Sequence, residues 1–351
     1  MLTEIPAPGS AAPVLDRHSA LVVALTDPTF TTEALDPEHT EDIDDQPISL
    51  GRRIGTFLAV TLPPIGLVAA IILLWGVAIS WIHVALLVGG HLLTGLGITV
   101  GYHRLFTHKS FDAHPIVKAF FGIAGSMALE GPILFWVATH RLHHQHSDRA
   151  MDPHSPHVRQ DAAHGEIVRT GLIGRLRGAI HAHVGWLFKP EQPQSVMDKY
   201  IPDLLADKFV VRLSNLFLLW VAIGLVLPGL IAWAVTGTIT GGLLGVLWGG
   251  VVRVFVVHHV TWSVNSVCHL WGTSPFRTGD QSRNNPIVGV LTLGEGWHNN
   301  HHAFPNWARH GLRWWELDIS YLIVRALKLV GLAWNIKLPD PQRMADKRRR
   351  D

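Results

Sequence analysis

The sequence predicts an all-α membrane protein with four transmembrane helices arranged as two hairpins. The chain has 351 residues, of which 48% are hydrophobic, and its mean hydropathy is +0.24. It also contains two long stretches without Asp, Glu, Lys or Arg. Because a helix crosses a bilayer with about 20 apolar residues, each stretch is long enough for two crossings.

The segments outside these stretches have different compositions. Residues 1–50 are rich in Pro, Asp, Glu and Thr, which is typical of a disordered leader. We therefore expect a membrane domain over 51–339, followed by a basic tail over 340–351. The tail's charge run, Lys347–Arg350, is predicted to be solvated or to face lipid.

The first uncharged stretch covers residues 54–103. It predicts helices over about 56–79 and 81–102, joined by a short connection. Pro63 and Pro64 are expected in the first turns of the first helix, or at a kink, because proline lacks a backbone N–H donor.

The second uncharged stretch, 213–252, is divided by a turn-like segment at 236–242. A helix from Gly242 to His269 would be about 40 Å long, which exceeds the roughly 30 Å hydrocarbon core. Its end should therefore project from the membrane. Arg253 is costly in lipid, so we expect it at the cytosolic boundary or facing the bundle.

The distribution of basic residues predicts the orientation. They occupy the N-terminal flank, the central region 104–212 and the C-terminal region, which places the active site and both termini in the cytosol. Residues 115–139 are apolar but contain Lys118, Glu130 and Pro132, so this region is predicted to be a re-entrant or interfacial helix.

Histidines form three clusters in the segments assigned to the cytosol. Residues three and four apart share a helix face, so each His-x-x-His-His run can direct three imidazoles at one centre. His103 and His108 are about 140° apart on an ideal helix and converge only if that helix ends or bends nearby. Asn265 and His269 add a fourth element. The clusters are His103 with His108, then His140, His143 and His144, then His298, His301 and His302.

Nine histidines exceed the needs of one tetrahedral zinc, whereas imidazole suits several first-row metals. Two ions with open positions can bind dioxygen, and iron then suits the site better than zinc, which has no redox chemistry. We therefore expect a cytosolic helical cap that holds a histidine-rich dimetal site. The single cysteine excludes a four-cysteine iron–sulfur site, and a net charge of +2 gives no reason to expect nucleic acid. Histidines without cluster spacing are predicted to be interfacial or hydrogen-bonded: His83, His91, His114, His164, His181, His310, and the pair His258 and His259.

From about Arg53 to Pro339 the sequence resembles the membrane fatty-acid desaturases, specifically the Δ9 acyl-CoA desaturases of the stearoyl-CoA type and their bacterial and cyanobacterial acyl-lipid relatives. Four phrases in order carry the resemblance: Gly-Tyr-His-Arg-Leu-Phe-Thr-His at 101–108, Asp-Pro-His-Ser at 152–155, Thr-Trp-Ser-Val-Asn-Ser-Val-Cys-His at 261–269, and Gly-Glu-Gly-Trp-His-Asn-Asn-His-His at 294–302.

The resemblance implies that the nine clustered histidines, including His269, bind two iron ions and that Asn265 holds a metal-bound water. It also implies a kinked acyl tunnel lined by Trp136, Thr261 and Trp262. Glu130 stands where animal relatives carry a glutamine that hydrogen-bonds the tryptophan matching Trp262.

Contacts to coenzyme A transfer less well, because the connection over 155–183 is longer than in the family and contains additional arginines. Among them are Arg159, Arg169, Arg175 and Arg177. Arg141 and Lys189 are candidate phosphate contacts.

The implied reaction takes a long-chain acyl-CoA or acyl-lipid in the membrane, dioxygen and two electrons, and yields a cis double bond, at Δ9 by analogy, and two waters. The chain has neither a His-Pro-Gly-Gly haem signature nor a Gly-x-Gly-x-x-Gly fingerprint. Electrons are therefore expected from a ferredoxin-like or flavin reductase that docks on the cytosolic basic surface. Two rivals remain: a membrane hydroxylase or alkane monooxygenase with similar histidine boxes, and a metal transporter, whose histidines would line a crossing.

Overall fold

A computed structural model of the chain describes residues 50–74, 80–161, 165–189 and 194–349. Within this part, four helices are long and apolar enough to cross a membrane. The predicted fold class, an all-α membrane protein with a histidine-rich cap, is confirmed. The predicted leader lies outside the described residues, apart from Leu50.

The first hairpin consists of α1, Leu50–Leu74, and α2, Trp81–Leu96, which continues as a π-helix over Gly97–Thr107. Helix α1 begins six residues earlier than predicted, so its two prolines lie in its middle rather than in its first turns. The uncharged stretch does not predict this start, because it begins at residue 54. The helix extends back over residues 50–53, which include two arginines.

The second hairpin begins with α9, Phe217–Thr236. It returns through α10, Ile239–Gly245, a π-helical segment, Val246–Val252, and α11, Arg253–Leu270. The turn is narrower than predicted and is closed by Gly237 at φ 67°. The return run of 32 residues is about 48 Å long, which exceeds the roughly 30 Å hydrocarbon core.

Arg253 faces the interior of the bundle, which agrees with one of its two predicted positions. The side chain is buried and donates to three backbone carbonyls: Gly249 at 3.0 Å, Met127 at 2.7 Å and Gly224 at 3.1 Å. Hydrogen bonds of this kind offset part of the cost of removing a guanidinium from water.

The single helix predicted over 115–139 is instead two helices. Helix α3, Pro115–Ser126, ends before a turn in which Leu129 and Gly131 have positive φ values of 64° and 108°. Helix α4, Ile133–His146, begins after Pro132 and carries the second histidine cluster. The turn lets α4 leave the direction of α3 and reach the metal-binding end of the molecule.

Short helices and two small antiparallel strand pairs complete the cap. Strand β1, Asp112–Ala113, pairs with β4, Ala333–Trp334, and β2, Val158–Asp161, pairs with β3, Gly165–Val168. The remaining helices are α5, Gly171–His183, a 3-10 helix, Gly185–Phe188, α6, Gln194–Asp198, α7, Pro202–Ala206, α8, Lys208–Asn215, α12, Pro286–Leu291, α13, His298–Ala303, α14, Ile319–Leu329, and α15, Pro341–Lys347.

The predicted basic tail is in contact with the cap as far as Arg349. Helix α15 places Lys347 Nζ 2.7 Å from the carbonyl oxygen of Ala303, and the Arg349 N–H donates to the Pro275 carbonyl at 2.9 Å. Part of the charge run therefore caps the end of α13 rather than being fully solvated.

Candidate metal centre

All nine clustered histidines meet at one end of the helical bundle, in two groups. Within each group, one ring nitrogen per residue lies within 4.8 Å of every other. The first group contains His103, His108, His140, His144 and His301, and the second contains His143, His269, His298 and His302. Four different helical segments contribute, so each group is assembled by the tertiary fold.

A π-helix brings His103 and His108 together. In this geometry hydrogen bonds join residues five apart, and the His108 N–H donates to the His103 carbonyl at 3.1 Å. Their ring centroids are 4.7 Å apart. The prediction that the helix ends nearby is correct, since it ends at Thr107, but the wider helical turn was not predicted.

Helices α4 and α13 each divide their three clustered histidines between the groups. Residues three and four apart share a broad face, and the interface between the two groups runs through that face. His140 and His144 join the first group while His143 joins the second. In α13, His301 joins the first group, whereas His298 and His302 join the second.

Four of the nine histidines direct Nδ1 at a buried carboxylate. A metal-binding histidine typically donates its second ring N–H to such a group, which fixes its orientation and increases its basicity. The pairs are His103 with Glu295 at 2.5 Å, His143 with Asp152 at 3.0 Å, His269 with Asp148 at 2.9 Å and His302 with Asp280 at 2.7 Å.

The inward Nε2 atoms have the separations expected of ligands on a shared cation. His301 Nε2 lies 3.0 Å from His103 Nε2 and 2.9 Å from His144 Nε2. One ring hydrogen cannot bridge both contacts. Two imidazoles bound at right angles to an ion at about 2.1 Å would place their nitrogens about 3.0 Å apart. His143 Nε2 and His302 Nε2 are buried and have no protein partner in the described chain, so these residues fit bound metal.

Burial favours the neutral imidazole at three of the nine histidines, and contact with a histidine favours the ionised form of an acid. Burial, together with the neighbouring imidazoles, holds the pKa values of His144, His298 and His301 well below the usual 6.5. Burial alone would raise the pKa of Asp148, but His269 lowers it to about 2. Neutral imidazole is the form that binds metal.

A buried charge network behind His103 was missed by sequence reasoning. Arg104 Nη2 donates to Glu295 at 3.1 Å and Arg104 Nη1 to Asp318 at 2.8 Å. His310, predicted to be merely structural, places Nδ1 3.3 Å from Glu295 and its ring 4.5 Å from that of His301. In the sequence, two of the carboxylates next to the histidines could be noticed only by their position. Glu295 lies in the phrase at 294–302, and Asp152 lies in the phrase at 152–155.

One of the predicted tunnel residues borders the first group, and one predicted contact is different. Trp136 stacks on His140 with centroids 5.0 Å apart and an interplanar angle of 15°. Its Nε1 donates to Glu130 Oε2 at 3.2 Å. Glu130 thus holds Trp136, where the resemblance had implied a bond to Trp262, because both Glu130 and Trp136 flank the α3–α4 turn.

Thr261 and Trp262 lie on α11, about two turns before His269. Thr261 borders a small cavity between α2 and α11, and Trp262 is buried. Asn265 lies on the same helix, four residues before His269. Its predicted role of holding a metal-bound water stays a prediction.

Arg141 does not match its predicted role as a phosphate contact. Its five N–H donors all have protein acceptors: the carboxylate of Asp203 and the carbonyls of Phe106, Thr107 and Tyr200. No donor is left for a phosphate, so this arginine joins α4 to α7 instead. Lys189, which follows the 3-10 helix, remains a prediction.

Membrane-crossing helices that end in a two-part histidine site define a class of integral membrane protein with a metal-binding centre. Residues 78–333 match the family model described as fatty acid desaturase. The chain belongs to the fatty acid desaturase family and is an oxidoreductase.

Three similar proteins support this assignment. The chain is 42% identical over 278 residues to a hex-5-enoyl-[acyl-carrier protein] acetylenase of Moorena producens, covering 79% of this chain and 84% of the relative. It is 38% identical over 270 residues to an sn-1 stearoyl-lipid 9-desaturase of Synechocystis, covering 76% of each chain. An sn-1 stearoyl-lipid 9-desaturase of Anabaena variabilis is 38% identical over 263 residues, covering 74% of this chain and 86% of the relative.

Proposed function

We propose that this desaturase uses two iron ions and dioxygen to introduce a cis double bond, at Δ9, into a saturated fatty acyl chain. An external ferredoxin-like or flavin reductase supplies the two electrons. The observation that supports this most is the pair of histidine groups, in which four rings direct Nδ1 at carboxylates and leave Nε2 facing inward.

The nine histidines would hold the iron, which when bound supplies the oxygen-dependent oxidation of an unactivated C–H bond. The chain's own contribution is positioning. The four carboxylates hold their imidazoles in one orientation, and the Glu130 hydrogen bond keeps Trp136 flat against His140. An aromatic side chain held in this way can fix a methylene of the acyl chain next to the site. The activation barrier of the reaction is then lower, because the methylene has already lost its freedom of motion.

For the carrier of the acyl chain we propose a membrane lipid. Two of the relatives above are named as acting on stearoyl-lipid, and four helices of the chain are long and apolar enough to cross a membrane, where lipid chains are abundant. Acyl-CoA, which the sequence resemblance favoured, is the rival. Its support is weaker because the donors of Arg141 are used within the protein.

The reaction is tested by expressing the protein with a reductase in desaturase-deficient cells and analysing their acyl chains by gas chromatography with mass spectrometry. We expect Δ9 cis-monounsaturated chains. Only hydroxylated chains, or no change, would contradict desaturation. His298→Ala should abolish both the product and the bound iron, whereas His114→Ala, at the exposed N-cap position before α3, should retain both.

The carrier is tested with purified protein in nanodiscs. One arm supplies isotope-labelled stearoyl-CoA, and the other contains a glycerolipid with a labelled stearoyl chain. Label appearing in unsaturated lipid without free acyl-CoA supports the proposal. Turnover confined to the acyl-CoA arm would contradict it and leave desaturation itself intact.

A further inference from the structure

Helix α5 presents an apolar stripe to its surroundings. Leu172, Leu176 and Ile180 are 74%, 55% and 63% exposed, and their spacing of four residues aligns them along one side of the helix. Ile173 adjoins the stripe and is also exposed. Contiguous exposed apolar side chains of this kind mark a surface that contacts something other than water.

The opposite face of α5 is fixed to the protein, so the stripe cannot turn inward. Gly178 is buried, and a methyl group in its place would collide with the Pro156 carbonyl. At the end of the helix, His183 Nδ1 lies 3.0 Å from Ser266 Oγ and His183 Nε2 lies 2.9 Å from His259 Nδ1.

Arginines flank the stripe on both sides. At about 100° per residue, Arg175 lies about 60° to one side of Leu172, and Arg177 lies about 60° beyond Ile180 on the other side. Both arginines are exposed. A long basic side chain at the margin of an apolar stripe can lay its stem on apolar material and extend its charge to a phosphate.

The position of α5 connects the stripe to the lipid-facing surface. His183 meets α11 at His259 and Ser266, about three turns and one turn before His269, near the end of the run that is long and apolar enough to cross a membrane. The 3-10 helix that follows α5 contacts α1. Helix α1 itself exposes Leu50, Ile54 and Phe57, so its apolar surface continues toward α5.

We propose that α5 lies in the headgroup layer of the membrane leaflet on the metal-site side. The apolar stripe is inserted at the boundary with the acyl chains, and Arg175 and Arg177 bind the phosphates of anionic lipids. A protein partner would not require paired arginines at both margins of a stripe that adjoins the surface of α1. The proposal concerns membrane contact and holds whichever acyl carrier is used.

Depth is measured with a fluorescent bimane attached to Leu176→Cys in the full-length protein in nanodiscs. The native Cys268 is fully buried and does not compete for the label. We expect quenching by nitroxide lipids labelled near the headgroup and protection from iodide in the water. Ala345→Cys, at an exposed position on α15, is the matched control and should be quenched by iodide.

Iodide quenching of Leu176→Cys as strong as that of the control would overturn the proposal. Protection that appears only at high protein-to-lipid ratio would also overturn it, because a second copy would then cover the stripe.

The charged margins are tested by the preference of the protein for spin-labelled phosphatidylglycerol over phosphatidylcholine. Each arginine removed by Arg175→Gln and Arg177→Gln should lower the local preference by about fivefold. Arg343→Gln, an exposed change on α15, should leave it unchanged. An equal preference in the double variant and the parent protein would refute the role of the arginines.

Discussion

Glu130 should make the stability of the protein depend on pH between weak acid and neutrality. Burial raises the pKa of this carboxyl from 4.5 to about 7, and the hydrogen bonds with Thr261 and Trp136 only partly oppose that effect. Below about pH 4.5 the folded and unfolded chains are both protonated here. As the pH rises toward 7, the unfolded chain loses the proton first, so its carboxylate favours unfolding.

One pKa unit corresponds to about 1.4 kcal/mol. Ionisation of Glu130 should therefore lower the free energy of unfolding by about 3 kcal/mol between pH of about 5 and about 8. Glu130→Gln keeps an oxygen that can accept from Trp136 and removes the ionisation. The variant should therefore gain about 3 kcal/mol relative to the parent protein over this range.

The free energy of unfolding is measured by denaturant titration in mixed micelles at several pH values. Asp346→Asn, at an exposed position on α15, is the control and should follow the parent protein. Parallel pH profiles for the parent protein and Glu130→Gln would refute the reasoning, because the carboxyl would then titrate in the same way in the folded and unfolded chains.

Three further changes test the metal centre and its supports. Asp152→Asn removes the charge that orients His143 and should weaken iron binding by about 10- to 100-fold, measured as iron retained against a chelator; unchanged retention would contradict the role of the acid. Arg104→Met leaves two buried carboxylates without their cation and should cost about 3–5 kcal/mol, which a denaturant midpoint close to that of the parent protein would exclude. Gly97→Ala would push a methyl against the Gly125 backbone and should cost about 3 kcal/mol, whereas Gly89→Ala, with open space around it, should have little effect on the same midpoint.

The histidine positions were predictable because spacing along a helix determines which rings share a face. The runs in α4 and α13 needed only the helical period, and both bring their histidines into the site. His103 and His108 were harder, because five residues is a poor spacing for an α-helix, and the sequence could indicate only that the helix changes nearby. The π-helix supplies that change.

Two of the four carboxylates behind the histidines were not predictable, because their contacts are made across long sequence separations. Glu295 follows His103 by almost 200 residues, and Asp148 precedes His269 by more than 100. No local period connects such pairs, since tertiary packing alone brings them together. The contact between Arg141 and Asp203 was not predictable for the same reason, because the two residues are far apart in the sequence.

The division of α13 between the two histidine groups determines when the site can form during synthesis. His301 belongs to the first group, and His298 and His302 belong to the second. All the other histidines of both groups are translated earlier, while neither group is complete. A metal ion can therefore be fully enclosed only after the segment 298–302 has emerged and folded back against them, so metal loading records that the last part of the histidine site is in place.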